Sequence, residues 1–380
     1  MVSGGSEVIR TVALVALCLG GATVVALTVL SAVTTVVVPR GVPVRLTRLV
    51  FLTSRRLFEL RARVEGSYED LDRLMALYAP LTLVALPVVW LTAVLLGYTA
   101  IFRALGTPSW SLALEASGSS MTTLGFVPVS GVPQHLAAFS EAAIGLLLLA
   151  LLITYLPAMY GAFARREALV TSASVAAGQP PTGWAMLVRY HALAGLDRLE
   201  QNIWVPWTAG FVDIEESHTS LSALPFFRSP RPERSWVTAA GAVLDGAALL
   251  QSSVRDSHSP PAQLCIRSGF LALGHIADFY GIAHDPDPEQ DDPISVTRAD
   301  WDVVYDELAA AGLPMVADRD QAWLDFRGWR VNYDEVLLRL AQLTWAPYAP
   351  WSSDRSPVLG GHGSSPGRVR PPVLRRLRRR

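Results

Sequence analysis

The stretch SGSSMTTLGFVPVSG, residues 117–131, lies between two long apolar runs of a 380-residue chain. It is small, polar and glycine-bearing, and no charged residue occurs between Ala116 and Gln134. A solvated loop of this length would be expected to carry charge, as most exposed segments do. The stretch is therefore either a connecting loop between membrane helices or the part of the chain that contacts an ion.

Three charge-free apolar runs surround or precede this stretch. They cover residues 11–38, 74–102 and 142–164. About 20 apolar residues in a helix are enough to cross about 30 Å of hydrocarbon, so each run is long enough to span a membrane. The apolar share of the chain is 51% and is concentrated in its first 165 residues. The composition thus predicts a membrane protein.

The distribution of arginine predicts the orientation of these spans. Residues 39–73 hold eight arginines, and Arg165 and Arg166 follow the third run, whereas residues 103–141 hold one arginine. The positive-inside rule places 39–73 and everything after 165 in the cytoplasm, and 103–141 outside. A cleaved signal peptide at the first run is the alternative, but it would export the arginine-rich segment and invert this bias. We therefore expect three spans with the N-terminus outside.

The outer segment contains the signals of a short helix. Thr107-Pro108-Ser109 is a good helix start, and WSLALEASGSS, residues 110–120, continues it with small and apolar residues. This helix is too short to span a membrane. A short helix that ends in Thr-Thr-Leu-Gly-Phe predicts a re-entrant pore helix followed by an extended strand.

At these residues the chain resembles the potassium-channel pore family, in which a pore helix and a T-x-T-T-V-G-Y-G-D-like filter lie between two membrane helices. The match is SGSSMTTLGF, residues 117–126, within an arrangement that covers 74–165, about a quarter of the chain. The resemblance implies passive cation conduction through a homotetramer. The residues that it implies for the ion-conducting filter are Thr122, Thr123, Leu124, Gly125 and Phe126.

The apolar runs, the arginine bias and this resemblance together predict an all-α membrane protein with three transmembrane helices, a re-entrant pore helix and filter between the second and third, and then a mostly helical cytoplasmic domain. The expected units are an N-terminal transmembrane helix (1–40), an arginine-rich cytoplasmic linker (41–73), a pore domain (74–165), a helical cytoplasmic domain (180–348) and a disordered basic tail (349–380). Within the pore domain we expect the pore helix at 109–120, the filter at 121–127 and the inner helix at 138–164.

The residue types suit a filter, with one departure. Filters replace the water shell of an ion with oxygens, mostly backbone carbonyls, and glycine permits backbone conformations that a side chain would forbid. Where the family has Gly-Asp after the aromatic residue, this chain has Val127-Pro128, and a β-branched valine disfavours positive φ. The expected permeant ion is a monovalent cation, K⁺ by resemblance, with strict selectivity left open. No cofactor is expected.

Three polar residues near the expected pore have candidate roles; they are Glu115, Ser119 and Glu141. Glu115 and Ser119 are expected to support it, because an acid in or behind the pore helix attracts cations or bonds to filter amides. If the stretch is only a loop, Glu115 is merely solvated. Glu141 either caps the third helix, since an acid in the first turn suits the helix dipole, or joins a cation-attracting outer ring.

Three residues of the third span permit bending. Gly145, Pro157 and Gly161 are candidate hinges of a gate. The alternative is that they carry no such role, because glycine and proline are common in membrane helices.

The region after residue 182 has the composition of a soluble helical domain. Apolar residues recur at helical spacing and no sustained β alternation occurs. Neither a phosphate-binding glycine loop, nor a nucleophile elbow, nor a zinc-protease motif is present, so we expect no enzyme and no metal site. Two cysteines cannot build a disulfide framework.

Three constellations in this region leave alternatives open. DIEESH, residues 213–218, either binds a divalent cation or forms an exposed turn or helix start. Trp204 and Trp207 lie either at the membrane interface or in the domain core. The third set has partly metal-ligand-like spacing, and the alternative is that it forms a solvated helix end. It consists of His275, Asp278, His284 and Asp285.

The C-terminal tail is strongly basic. From Arg355 to Arg380 it holds eight arginines and no acid. Such a tail attracts anionic lipids at about 1 kcal/mol per residue near the surface. Pairing with the acidic loop 285–292 is an alternative, and no nucleic-acid partner is expected.

These features together predict a multi-pass cation channel subunit of the inner (plasma) membrane, with its C-terminal domain in the cytoplasm. That domain would assemble or regulate the channel. The alternative function is a membrane-anchored scaffold or sensor with a vestigial pore-like segment.

Overall fold

A computed structural model describes residues 3–37, 46, 49–50, 53–54, 56, 58 and 68–355. Within these residues the regular structure is helical, and the only β contact is an isolated bridge between Val254 and Met315. Most of the expected linker 41–73, and the basic tail beyond Arg355, lie outside the described residues.

Three helices are long and apolar enough to cross a membrane. They are α1 (Ser3–Val36), α2 (Tyr68–Ala104) and α4 (Val132–Ala177), and the short α3 (Trp110–Met121) lies between α2 and α4. The spanning candidates within them cover Glu7–Val36, Ala76–Ala104 and Val132–Ala177. The expected all-helical architecture with three such helices is confirmed for the described residues, and the chain is a membrane protein by the length and composition of these helices.

Helix α1 packs directly on α2 through a pair of glycines. A Cβ atom built at Gly21 would lie 2.5 Å from the carbonyl oxygen of Gly97, and one built at Gly97 would lie 2.7 Å from Val25 Cγ2. Only residues without side chains allow two backbones to approach this closely. The first span is therefore fixed against the second.

Helix α4 is longer than the membrane requires. Its 46 residues extend about 69 Å at 1.5 Å per residue, whereas the hydrocarbon is about 30 Å thick. It begins at Val132, with Pro133 in its first turn, and continues past Arg165 to Ala177. Its last turns are buried in the core of the helical domain that follows, at Ala173, Ala176 and Ala177. One continuous helix thus joins the membrane part to the domain that follows.

Seven further helices build that domain. They are α5 (Gly183–Leu193), α6 (Val205–Ser220), α7 (Trp236–Ser253), α8 (Pro260–Tyr280), α9 (Arg298–Ala310), α10 (Arg319–Arg330) and α11 (Asp334–Thr344). Helix α6 continues from a π-helical turn over Glu200–Trp204. Ser235 and Ser259 accept hydrogen bonds from first-turn amides of α7 and α8, as N-cap residues do. Helix α7 is rich in Ala and Leu and is buried along almost its whole length, so it forms the centre of the domain.

The core of the domain decides the position of the two tryptophans. Trp204 and Trp207 are 1% and 0% exposed and belong to the same buried cluster as the residues of α7. The two tryptophans therefore lie in the domain core, and the alternative position at the membrane interface is wrong.

Candidate functional site

Helix α3 packs against α2 and α4, the two helices that flank it in the sequence. The hydroxyl of Ser117, near its end, donates to the carbonyl oxygen of Leu95 in α2 at 2.9 Å. Leu95 precedes the end of α2 at Ala104 by nine residues, which is about 13 Å along the helix. The carbonyl of Met121 packs against Gly145 of α4. The chain thus leaves α2, turns back between α2 and α4, and only then enters α4.

The sequence of α3 explains this placement. Ser109 caps the helix, accepting from the Leu112 amide at 3.1 Å. The buried face is made of small residues that fit between two larger helices; they are Ala113, Ala116, Ser117 and Ser119. Trp110 and Leu114 remain exposed on the other side. One chain therefore covers only one face of this helix.

The segment after α3 is held to the end of the helix through its amides. The Ser119 carbonyl accepts from the amides of Leu124 and Gly125 at 3.0 and 3.3 Å, and the Ser119 hydroxyl accepts from the Val127 amide at 3.2 Å. The amides of Thr122 and Thr123 donate to carbonyls one turn back in α3. A single buried serine thus fixes three amides of the segment.

The backbone of this segment alternates in conformation. Thr123 and Gly125 have φ values of +59° and +68°, while Val127 is not among the described residues with positive φ. The expectation of an extended strand directly after the helix is wrong, since the segment begins as a turn tied to Ser119. Among the hydrogen bonds of the described residues, none is accepted by a carbonyl of residues 122–126.

All five residues of the expected filter are exposed in the single chain. Leu124 and Phe126 are 69% and 63% exposed. Thr122, Thr123 and Gly125 also belong to the exposed class. The segment is thus fixed on one side, by its amides, and open on the other.

The two acids differ in how far the sequence indicated their positions. Glu115 is exposed on α3 and accepts from Ser111 at 3.2 Å. Glu141 lies in the third turn of α4 because that helix begins at Val132, and it is 0% exposed. Neither the capping role nor the outer ring fits Glu141, because a first-turn acid or a ring residue would contact solvent. The buried acid behind α3 is Glu141, not Glu115.

The three hinge candidates differ in their surroundings. A Cβ atom built at Gly145 would lie 2.5 Å from the Met121 carbonyl oxygen, so glycine is needed there for contact with the end of α3. A Cβ at Gly161 would meet only Arg165 Nη1, at 3.9 Å. Pro157 lies inside the continuous α4. The structure thus gives Gly145 a packing reason that does not require a hinge.

A turn over residues 221–227 joins the domain built by α5–α11 to the long apolar helices. Phe227 packs against the rings of Tyr160 and Phe163 in α4 at centroid distances of 6.0 and 5.8 Å. Arg166 is 1% exposed and donates to the carbonyls of Leu224 and Phe227 at 2.9 and 2.7 Å. Sequence reasoning missed this junction; its one signal was the arginine pair directly after the third apolar run.

The metal-like constellations do not come together. Residues 213–218 lie inside α6 rather than in a turn or helix start, and Asp213 binds Arg165 at 3.0 Å. Glu215 contacts His275 at 2.6 Å, and His284 lies 3.8 Å from Asp278. Throughout the described part of the chain, no group of three or more His, Cys, Asp or Glu side chains is placed to hold a metal ion.

No family model, curated protein or solved structure matches this chain.

Proposed function

We propose that this chain is a subunit of a potassium-channel-like cation channel that conducts passively as a homotetramer. The observation that carries the proposal is the segment 122–127, in which every amide except that of Phe126 is held by the end of α3 while the carbonyls of 122–126 accept no hydrogen bond from any described residue. Carbonyl oxygens fixed in this way are the groups that replace the water shell of a permeating cation.

The one-sided exposure of the segment supports the assembly. Leu124 and Phe126 project from the chain although they follow a helix packed between two others. A single subunit supplies one wall of an ion pathway, so the remaining walls come from further copies around an axis. In the tetramer, the residues of 122–126 face that axis or the neighbouring subunit.

The proposed topology follows from the arginines. The cytoplasmic side holds the linker 39–73 and the domain after Arg165, and the α3 segment enters from outside, in the inner (plasma) membrane. Contacts of the basic tail with anionic lipids belong to the same proposal, and the part of the tail beyond Arg355 lies outside the described residues.

The test is cation flux into vesicles that contain the purified full-length chain. We expect K⁺ flux that falls more than tenfold in Gly125→Asp and in Thr123→Val. Thr92→Val is the matched control, because Thr92 is exposed on α2 and its hydroxyl bonds only within its own helix, to Val88. Cross-linking measures the number of subunits in the same preparation.

Three outcomes decide between the functions. Flux that depends on Gly125 and Thr123 but not on Thr92 supports the channel. Confirmed tetramers without flux contradict it and favour the membrane-anchored scaffold or sensor. Flux that is equal in all variants places the ion path elsewhere and also contradicts the proposal.

A further inference from the structure

Glu141 is a buried acid that the proposed filter does not use. It is 0% exposed, it lies in a spanning helix, and no described arginine or histidine forms an ion pair with it. The chain contains no lysine. Its Oε2 atom is buried without a hydrogen-bond partner. An ionised carboxylate in such a place would carry a large desolvation cost with no cation to offset it.

The contacts of Glu141 form a chain of three oxygen atoms. Glu141 Oε1 lies 2.5 Å from the hydroxyl oxygen of Ser117, and that oxygen lies 2.9 Å from the carbonyl oxygen of Leu95. Two hydrogen bonds require two hydrogen atoms. Ser117 supplies one, and the Leu95 carbonyl, which also accepts from the Thr99 hydroxyl, supplies none.

We infer that Glu141 is held as a neutral carboxylic acid that donates its proton to Ser117, while Ser117 donates to Leu95. These bonds form a strut that runs from α4 through α3 to α2. Glu141 is a positioning residue in this arrangement, because it contacts neither the filter segment nor an ion. The effect of the strut on conduction rests on the proposed function, whereas the protonation of Glu141 does not.

The strut fixes the position of α3 along its neighbours α2 and α4. Ser117 lies two residues before Ser119, which binds the amides of Leu124, Gly125 and Val127. One turn further along α4, Gly145 contacts the Met121 carbonyl, so the same face of α4 supports α3 twice. Moving α3 along its neighbours would move every amide that Ser119 holds.

The other titratable groups nearby do not compete for this proton. On α2, the Tyr98 hydroxyl pairs with Ser140 at 2.8 Å. On α3, Glu115 is exposed and bonds to Ser111. On α4, the His135 ring pairs with the Gly131 carbonyl at 2.7 Å.

Infrared spectroscopy of the full chain in vesicles tests the protonation directly. The difference between wild type and Glu141→Gln should contain the carbonyl band of one protonated carboxylic acid at neutral pH. Ser117→Ala should shift this band to higher frequency, because the acid loses its hydrogen-bond partner. Glu115→Gln is the matched control, and its difference spectrum should show an ionised carboxylate. Carboxylate bands alone in the Glu141→Gln difference would overturn the inference.

Flux measurements test the positioning role. Glutamine donates to Ser117 as the acid does, so Glu141→Gln should retain at least half of the wild-type flux, while Glu141→Ala and Ser117→Ala should lose tenfold or more. Equal losses in Glu141→Gln and Glu141→Ala would show that the acid acts through its charge and would refute the strut. A protonated Glu141 in a chain without flux would keep the strut and reject the channel.

Discussion

Arg166 of α4 donates to the carbonyl oxygen of Phe227 at 2.7 Å, across 61 residues of sequence. The same guanidinium donates to Leu224 and to Glu167. The domain built by α5–α11 is thus attached to α4 directly after its charge-free run 142–164, and any displacement of the turn 221–227 acts on that helix.

This attachment predicts a difference between two adjacent arginines. Arg166→Met leaves the buried Phe227 carbonyl without a donor and the Leu224 carbonyl with only the Phe227 amide, and it should lower the free energy of unfolding by roughly 1–3 kcal/mol. Arg165→Met is the matched control, since its ion pair with Asp213 has an arginine side chain that is 59% exposed, and its loss should stay below about 1 kcal/mol. Thermal unfolding of the full chain in detergent measures both. Equal losses would show that the buried carbonyls find other donors.

The two glycines of α4 should respond differently to alanine. Gly145→Ala places a methyl group against the Met121 carbonyl and should cost about 1–3 kcal/mol, with loss of flux as α3 is displaced. Gly161→Ala has room for the methyl group and should be neutral or slightly stabilising. Stability and flux are measured together. If Gly161→Ala changes the flux without changing stability, Gly161 is a hinge of the gate.

A buried ion cluster should dominate the stability of the domain built by α5–α11. Arg330 is 0% exposed and binds Asp334 at 2.7 Å as well as Asp245 and the Trp351 carbonyl. Burial opposes its charge, but the two aspartates outweigh burial and raise the pKa of the guanidinium.

Removal of this arginine leaves two buried carboxylates unpaired. Arg330→Met should therefore lower the free energy of unfolding by about 3–5 kcal/mol. Arg298→Met, in the partly exposed network with Asp302 and Asp320, should lower it by less than about 1 kcal/mol. Chemical denaturation followed by circular dichroism compares the two. A small loss in Arg330→Met would mean that the aspartates accept protons at little cost.

His218 should make the domain sensitive to acid. It is 0% exposed, packs on Trp236 at a centroid distance of 4.7 Å, and has a buried Nε2 without a partner. Burial, and then the charge of Arg166, lower the pKa of His218 well below its usual value. The unfolded chain therefore binds a proton more readily than the folded chain, and stability falls as the pH drops below about 6.5.

The expected loss from His218 is about 1 kcal/mol between pH 6.5 and 5.5. His218→Gln should remove this part of the pH dependence, whatever it does to stability at pH 7. Thermal unfolding of both proteins at several pH values measures the slopes. The same slope in wild type and variant would assign the acid sensitivity to other groups.

The sequence by itself determined the membrane helices and the short helix between them. A charge-free run of 20 or more residues leaves few alternatives to a spanning helix, because unpaired backbone groups are too costly in hydrocarbon. The start of α3 was readable for a similar local reason, since Ser109 and Pro108 mark a helix start whatever surrounds them. Three apolar spans were therefore predictable, although the ends of α4 were not.

Only the tertiary structure decided what the polar residues near those helices do. The sequence alone places Glu141 in a first turn or an outer ring, because the start of α4 cannot be read within a run of uncharged residues. Its partner Ser117 lies 24 residues away, and Arg166 finds its carbonyls about 60 residues away. Hydropathy and capping depend on neighbours along the chain, whereas the partner of a buried polar group depends on which helices pack together. That is why the spans were predictable and the strut and the junction were not.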